Sequence, residues 1–202
     1  MIENDNTVNI GGEKNRYHHG DLRAALIAEG LKLIGSGPAE TLSLREIARN
    51  AGVSATAVYR HFPDKAALLS ALCTEGHAMM AAAFEKAMAG KGDRMAAFIS
   101  MGRAYVQFAL AHPALFRLMM AQPGAGPARA PQPCAEDRPE DGMTLLVRAL
   151  DDLYGRDMPA GLREARRLKS WALVHGLAML MLDGQVPAEP ALIDAVIDAH
   201  AI

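Results

Sequence analysis

The chain has 202 residues, of which 50% are hydrophobic and 22% charged, so a buried core is expected and global disorder is excluded. Aromatic residues make up only 5%, and the apolar mass is mainly Ala, Leu and Met, which favours helices over strands. The net charge is −2, yet residues 14–65 carry eight basic and five acidic side chains, which leaves −5 for the remainder. A modestly basic N-terminal module on an acidic body is compatible with contact to a polyanion.

Cysteine usage and the N-terminus indicate the compartment. Cys73 and Cys134 lie far apart and have the spacing of neither a disulfide framework nor a zinc site, which indicates a reducing environment. Residues 1–16 are polar and lack the apolar segment of a signal peptide. The longest apolar run, Trp171–Leu182, is too short to cross the ~30 Å hydrocarbon core of a bilayer. We expect a soluble cytoplasmic protein with no membrane partner.

The N-terminal part is predicted to hold an arm and three helices. In order, these are an arm over residues 1–16, a helix from about His18 to Ile34, a short helix from Ser43, and a third helix from Ser54 to Pro63. Ser43 stands three residues before Glu46, the spacing of a capping box, and Ser54 offers a second N-cap.

Only helices and loops are predicted after Pro63. The predicted helices run from Asp64 to Met88, Arg94 to Ala111, His112-Pro113 to about Met120, Met143 to Leu153, Leu162 to Asp183, and Pro190 to His200. Residues 121–142 are rich in Pro, Gly and Ala without periodicity, which predicts a mobile loop. The expected fold class is therefore all-α.

The second and third helices have the spacing of a helix-turn-helix, two short helices joined by a tight turn. Ala48 stands where the helices cross, because a larger side chain would push them apart. Gly52 lies in the turn, where it adopts positive φ at little cost, and Val58 points back into the same core. Leu44 and Ile47 fill further inward positions.

Residues His18 to Leu72, above all LSLREIARNAGVSATAVYRHFPDKAALLSAL, resemble the DNA-binding domain of the TetR family of bacterial transcriptional repressors. The opening Tyr17–Leu22 and the run Trp171–Gly176 resemble a subgroup with a W…HG motif. The resemblance implies a three-helix DNA-binding domain over 17–63 and a helical ligand-binding and dimerisation domain over 64–202. It implies a homodimer on double-stranded DNA, associated with the nucleoid and released from its operator by an apolar or amphipathic ligand.

The resemblance and helix geometry together name the candidate DNA contacts. The N-terminal part of a recognition helix enters the major groove. The outward candidates are Ser54, Ala55, Thr56 and Tyr59, with Val58 and Phe62 facing inward. The family implies backbone contacts by Tyr59 and His61 and a phosphate contact by Lys65, and Arg45 and Arg60 are further phosphate candidates. Because positions 54–57 hold no Asn, Gln or Arg, DNA shape is expected to carry much of the specificity. Alternatively, Tyr59 packs on the domain core.

The second half has the features of a sensor. The segment Trp171–Leu182 is apolar all round, so one side is expected to fill its own core through Trp171, His175, Met179 and Leu182, and the other to meet a second subunit. Ala172, Gly176 and Ala178 would permit close helix approach. The candidate pocket residues are Met101, Phe108, Phe116, Met119, Met120, Trp171, His175 and Met179. The same residues equally fit a tight core, and His175 equally fits a hydrogen-bonded core histidine.

Other classes of function remain open alternatives. An all-helical adaptor of the same fold would bind no duplex DNA. An enzyme would need an acid-base or nucleophile set, and the sequence contains no GxSxG, Walker or HExxH motif. His18 and His19 point about 100° apart on a helix, which makes them a poor chelating pair. No metal or cofactor is expected.

Overall fold

A computed structural model describes residues 22–37, 41–121 and 141–198. The predicted arm, His18, His19, Cys134 and residues 122–140 of the predicted loop lie outside these ranges. The described ranges contain nine helices and no strand: α1 Leu22–Ser36, α2 Leu44–Asn50, α3 Ala55–His61, α4 Lys65–Met88, α5 Arg94–Ala111, α6 Pro113–Ala121, α7 Gly142–Tyr154, α8 Ala160–Leu182 and α9 Pro190–Asp198. The all-α fold class is confirmed.

The turn between α2 and α3 forms as the sequence predicts. Gly52 has a φ of +68°, the Val53 N–H donates to the Ala48 carbonyl at 3.0 Å, and the Gly52 N–H donates to the Arg49 carbonyl at 3.2 Å. These two bonds are those of a Schellman motif, which stops α2 and redirects the chain. Ala48 of α2 and Val58 of α3 are both buried, as expected.

One predicted cap is present and one is wrong. The Ser54 hydroxyl accepts from the Ala57 N–H at 3.2 Å, which fixes the start of α3. Ser43 occupies the N-cap position of α2, but its side chain makes no capping hydrogen bond. Glu46, the predicted partner in a capping box, instead forms an ion pair with Arg49 at 3.3 Å, because side chains three apart share a helix face.

The long helix α4 forms the spine of the molecule. Its start is fixed by Asp64, whose carboxylate accepts from the Ala67 N–H at 2.8 Å. By length and composition α4 alone among the described helices is long and apolar enough to cross a membrane. Its buried side chains and its packing against α1, α5, α6 and α7 are those of a core helix.

Two glycines bring neighbouring helices close to the spine. A Cβ on Gly30 of α1 would lie 3.0 Å from Leu72 of α4, and a Cβ on Gly76 of α4 would lie 2.6 Å from the Met119 sulfur of α6. Helix α6 also packs against α1. The N-terminal helices are therefore joined to the body both by α4, which continues the chain, and by α6, which packs against α1.

Helix α5 lies at the centre of the body, in contact with α4, α6, α7, α8 and α9. Arg103 of α5 holds α9 through Asp194 and Asp198, each at 2.6 Å. The observed ends of α5 are those predicted. Helix α7 begins one residue before the prediction, because Asp141 accepts from the Thr144 N–H at 2.8 Å and caps the helix at Gly142.

Candidate nucleic-acid interface and ligand cavity

The outer side of α3 is exposed and its inner side is anchored. Val58 and Phe62 are fully buried, and Arg23 of α1 lies over the Phe62 ring with its guanidinium carbon 5.4 Å from the ring centroid. Ala55 and Thr56 are exposed, and Tyr59 is 46% exposed, so part of its ring faces solvent on the outer side of α3. Ser54 is exposed too, but its hydroxyl is engaged as the α3 cap.

Basic residues occur on α2, on α3 and at the start of α4. Arg45, Arg60 and His61 are exposed, and Lys65 is half-buried at the first residue of α4. Within the described part of the chain, Arg45 and Arg60 form no ion pair, whereas Arg49 pairs with Glu46. Asn50 at the end of α2 donates to Glu29 of α1 at 2.8 Å, which ties the helix-turn-helix to the first helix.

A cavity of about 140 Å³ lies among α4, α5, α7 and α8. Its wall is mostly apolar, with polar groups contributed chiefly by α8 and the start of α7. The described residues contain no group of three His, Cys, Asp or Glu side chains placed to hold a metal ion.

Three of the eight candidate pocket residues line this cavity, namely Met101, Met120 and Trp171. Phe108, Phe116 and Met119 lie in the close-packed core, where Phe116 and Met119 are fully buried. Met179 is half-buried and is not on the cavity wall. His175 stands behind the wall, stacked on Trp171 with ring centroids 4.9 Å apart.

The hydrogen bond of His175 identifies its role in the packing. Its Nδ1 lies 3.0 Å from the phenol oxygen of Tyr105, which is itself on the cavity wall. Burial lowers the pKa of His175 and raises the pKa of Tyr105. Both groups are therefore neutral at pH 7, and the contact is a hydrogen bond between two neutral side chains.

Prediction from sequence missed most of the wall, although a signal was present. Phe98, Met101 and Tyr105 follow one another at i, i+3 and i+7 on α5, and Met80 and Phe84 are four apart on α4. Such spacing places side chains on one helix face. The pattern does not determine how α4, α5 and α8 are rotated relative to one another. That rotation decides whether the shared face packs in the core or lines a cavity.

Helix α8 has an apolar outer face that the other described residues leave exposed. Leu168 is 46% and Leu180 is 41% exposed, Ala172 is exposed, and a Cβ on Gly176 would contact nothing within 4 Å. Of the predicted inner line, Trp171, Met179 and Leu182 pack half-buried against the core, and His175 is half-buried too. The buried apolar residues of α8 are Leu177, Ala178 and Met181. Ala178 therefore belongs to the core and not to the outer face.

Comparison with known protein families identifies the family to which this architecture belongs. Residues 26–72 match the model of bacterial regulatory proteins of the tetR family, and residues 98–201 match the tetracyclin repressor-like C-terminal domain. The chain belongs to the TetR family. It is a DNA-binding transcription regulator, with α2 and α3 as the helix-turn-helix of the family's N-terminal domain.

Solved structures agree with the TetR assignment. A protein of unknown function from Rhodococcus sp. RHA1 has 33% identity and a TM-score of 0.72, over 93% of this chain and 95% of its own. A tetR-family transcriptional regulator from Streptomyces coelicolor has 26% identity and a TM-score of 0.63, over 88% of this chain and 77% of its own. A TetR variant from Acinetobacter baumannii AYE, in complex with minocycline, shares the fold at 17% identity and a TM-score of 0.60, over 88% of this chain and 90% of its own. No curated protein sequence is significantly similar to the chain.

Proposed function

We propose that this TetR-family regulator is a repressor that leaves its operator when a small apolar or amphipathic molecule binds. The observation that carries the proposal is the pairing of an exposed recognition helix, anchored by Val58 and Phe62, with a largely apolar cavity among α4, α5, α7 and α8. The proposed division is a DNA-binding domain over 17–63 and a ligand-binding and dimerisation domain over 64–202. The regulator acts in the cytoplasm on the nucleoid and has no enzymatic role.

The proposed DNA contacts divide into base contacts and phosphate contacts. Ala55 and Thr56 face outward in the first turn of α3, where a methyl group can meet a thymine methyl and the Thr56 hydroxyl can reach a base edge. Ser54 and Tyr59 flank them. The proposed phosphate contacts come from Arg45, Arg60 and His61, which are exposed, and from Lys65, which is half-buried at the start of α4.

The proposed functional unit is a homodimer formed through the outer face of α8. Leu168, Ala172, Gly176 and Leu180 would otherwise leave an apolar strip in water, and the small residues at 172 and 176 allow a second helix to approach closely. Two recognition helices would then bind half-sites about one helical turn apart on a pseudo-palindromic operator.

Ligand release requires a physical connection between the cavity and α3. Met120, the penultimate residue of α6, is on the cavity wall, and the same helix packs against α1 and α4. A ligand that shifts Met120 therefore acts on both helices that support the helix-turn-helix. The ligand changes operator affinity only by its differential affinity for the two arrangements, for which coupling of about 5–150-fold is typical. The TetR variant from Acinetobacter baumannii, which shares this fold, forms a complex with the small molecule minocycline.

Selection of bound sites from random duplex DNA tests this function. We expect a pseudo-palindromic site to emerge, and a reporter placed behind that site to be silent when the protein is expressed. Selected pools without a common site would contradict the DNA-binding role and leave the adaptor of the same fold. Increased reporter output when the protein is expressed would contradict the repressor role but not the DNA-binding role.

A further inference from the structure

The cavity wall is unusually aromatic for this chain. The sequence contains five Phe, four Tyr and one Trp, and five of these ten side chains line the cavity: Phe84, Phe98, Tyr105, Tyr154 and Trp171. Aromatic rings and methionine sulfur make favourable contacts with a flat apolar ligand. The cavity volume of about 140 Å³ is close to the ~150 Å³ of an apolar cavity that accepts benzene. An apolar group of about that size fits.

The charges on the wall are unequal in sign. Arg166 and Lys169 of α8 both line the cavity, and Asp141 is its one acidic lining residue within the described chain. The Asp141 carboxylate accepts from the Thr144 N–H at the start of α7 and forms no ion pair with either cation. The wall therefore presents an excess of positive charge.

Helix α8 forms ion pairs through its other two arginines but not through Arg166. Arg163 pairs with Asp151 and Arg167 pairs with Glu164. Arg166 has no ion pair with a described residue, and its guanidinium carbon lies 3.7 Å from the centroid of the Tyr154 ring. Its Nε is buried and has no hydrogen-bond partner among the described residues. No described residue therefore supplies an acceptor that holds the guanidinium, which leaves the guanidinium able to pair with an anion in the cavity.

We propose that the cavity binds a small amphipathic carboxylate, whose apolar part is about the size of an aromatic ring and whose carboxylate meets Arg166 and Lys169. The planar guanidinium suits a carboxylate because it offers parallel N–H donors. The ring then lies against Phe84, Phe98 and Trp171. This inference rests on the proposed function, since it names the ligand class of the proposed effector cavity.

A charge series with one apolar body tests the ligand class. The probes are 3-phenylpropanoate, 3-phenylpropan-1-ol and 3-phenylpropylamine, and the reporter is the fluorescence of Trp171, the single tryptophan of the chain and a wall residue. We expect the acid to bind about 10- to 100-fold more tightly than the alcohol, with the amine weakest, because hydrogen bonds to charged groups are the strong ones.

Substitutions assign the preference to the named cations. Arg166→Met should lower the affinity for the acid much more than the affinity for the alcohol, so that the preference for the acid is lost, and Arg166→Lys should keep part of the preference. Lys169→Met should give a smaller loss. The matched control is Arg156→Met, in the exposed turn before α8 and off the cavity wall. Alcohol binding by each variant, together with its helical circular dichroism, separates a lost contact from misfolding.

Several results would overturn the carboxylate site. These are no binding of the acid to the wild-type protein, equal or tighter binding of the alcohol or amine, and unchanged acid affinity in folded Arg166→Met. Operator affinity is measured in parallel. Release of the protein from its operator by the alcohol or the amine, but not by the acid, would overturn the carboxylate site and leave the proposed ligand-responsive regulator intact. Binding of the acid without change in operator affinity would support the site and contradict ligand release.

Discussion

The phenol oxygen of Tyr105 on α5 lies 3.0 Å from Nδ1 of His175 on α8, at hydrogen-bond distance. This bond lies directly behind the cavity, because Tyr105 and the Trp171 ring stacked on His175 are both wall residues. The bond thus fixes the packing of α5 against α8, the two helices between which a ligand would insert.

The first prediction concerns pH. Burial holds the pKa of His175 below its ordinary value of 6.5, so the unfolded chain binds more protons than the folded chain just below that pH. The free energy of unfolding should therefore fall as the pH drops through 6.5. Urea denaturation between about pH 5 and 8 measures this fall. His175→Gln removes the titration, so its pH dependence should be shallower, and an identical dependence would contradict the assignment.

The second prediction separates phosphate from base contacts. Lys65→Ala should weaken binding about equally on all duplexes and lower the salt slope by about one, because a phosphate contact carries no base information. Thr56→Ala should change preference at particular base pairs by about 1–3 kcal/mol. Isotherms on an operator and a scrambled duplex across a salt series measure both.

Lys91→Ala is the control for charge, since Lys91 is exposed in the turn between α4 and α5. It should leave the salt slope nearly unchanged. Altered sequence preference in Lys65→Ala without a change of salt slope would show that the phosphate role is misassigned.

The third prediction concerns the dimer. Burying a leucine contributes about 1.5–3 kcal/mol, and in a symmetric dimer each substitution acts twice. Leu168→Glu and Leu180→Glu should therefore shift sedimentation at micromolar concentration from dimer towards monomer. Ala82→Glu, at an exposed position of α4, adds the same charge and should leave the dimer intact. A wild-type monomer, unchanged by DNA, would disprove dimerisation through this face.

Local signals predicted the helices well, because caps and breakers act within a few residues. Ser54, Asp64 and Gly52 each fix a helix end by a bond or a φ angle that the neighbouring sequence determines. The capping box at Ser43 did not form: the Ser43 side chain makes no capping bond, and the Glu46 carboxylate pairs with Arg49 one turn along. The sequence of the α2–α3 segment predicted the TetR family, and this prediction is confirmed.

The residues that line the cavity could not be predicted as well from the sequence, because they depend on how the helices are rotated against one another. Composition predicted Phe116 and Met119 as pocket residues, but both lie on α6 and are buried in the core. It did not predict Phe98 of α5 and Arg166 of α8, which line the cavity. Ala178 was assigned to the outer face of α8 although it faces inward. A helix segment that is apolar all round has no polar face to settle its own orientation.

The last prediction concerns the contact between α4 and α6. A Cβ at position 76 would lie 2.6 Å from the Met119 sulfur and 3.2 Å from Leu115, and both side chains are buried. Gly76→Ala should therefore push α6 outward and lower the free energy of unfolding by about 1–3 kcal/mol, as overpacking does. Chemical denaturation measures this loss.

The same substitution should also change the response to ligand. Because α6 carries Met120 on the cavity wall and packs against α1, its displacement alters the ratio of operator affinities with and without ligand more than the affinity of the free protein. Gly161→Ala is the control, since a Cβ there contacts nothing within 4 Å and the change should be neutral or stabilising by up to about 1 kcal/mol. If Gly76→Ala lowers the free energy of unfolding but retains the wild-type affinity ratio, α6 does not couple the cavity to the helix-turn-helix, and α4 alone must carry the signal.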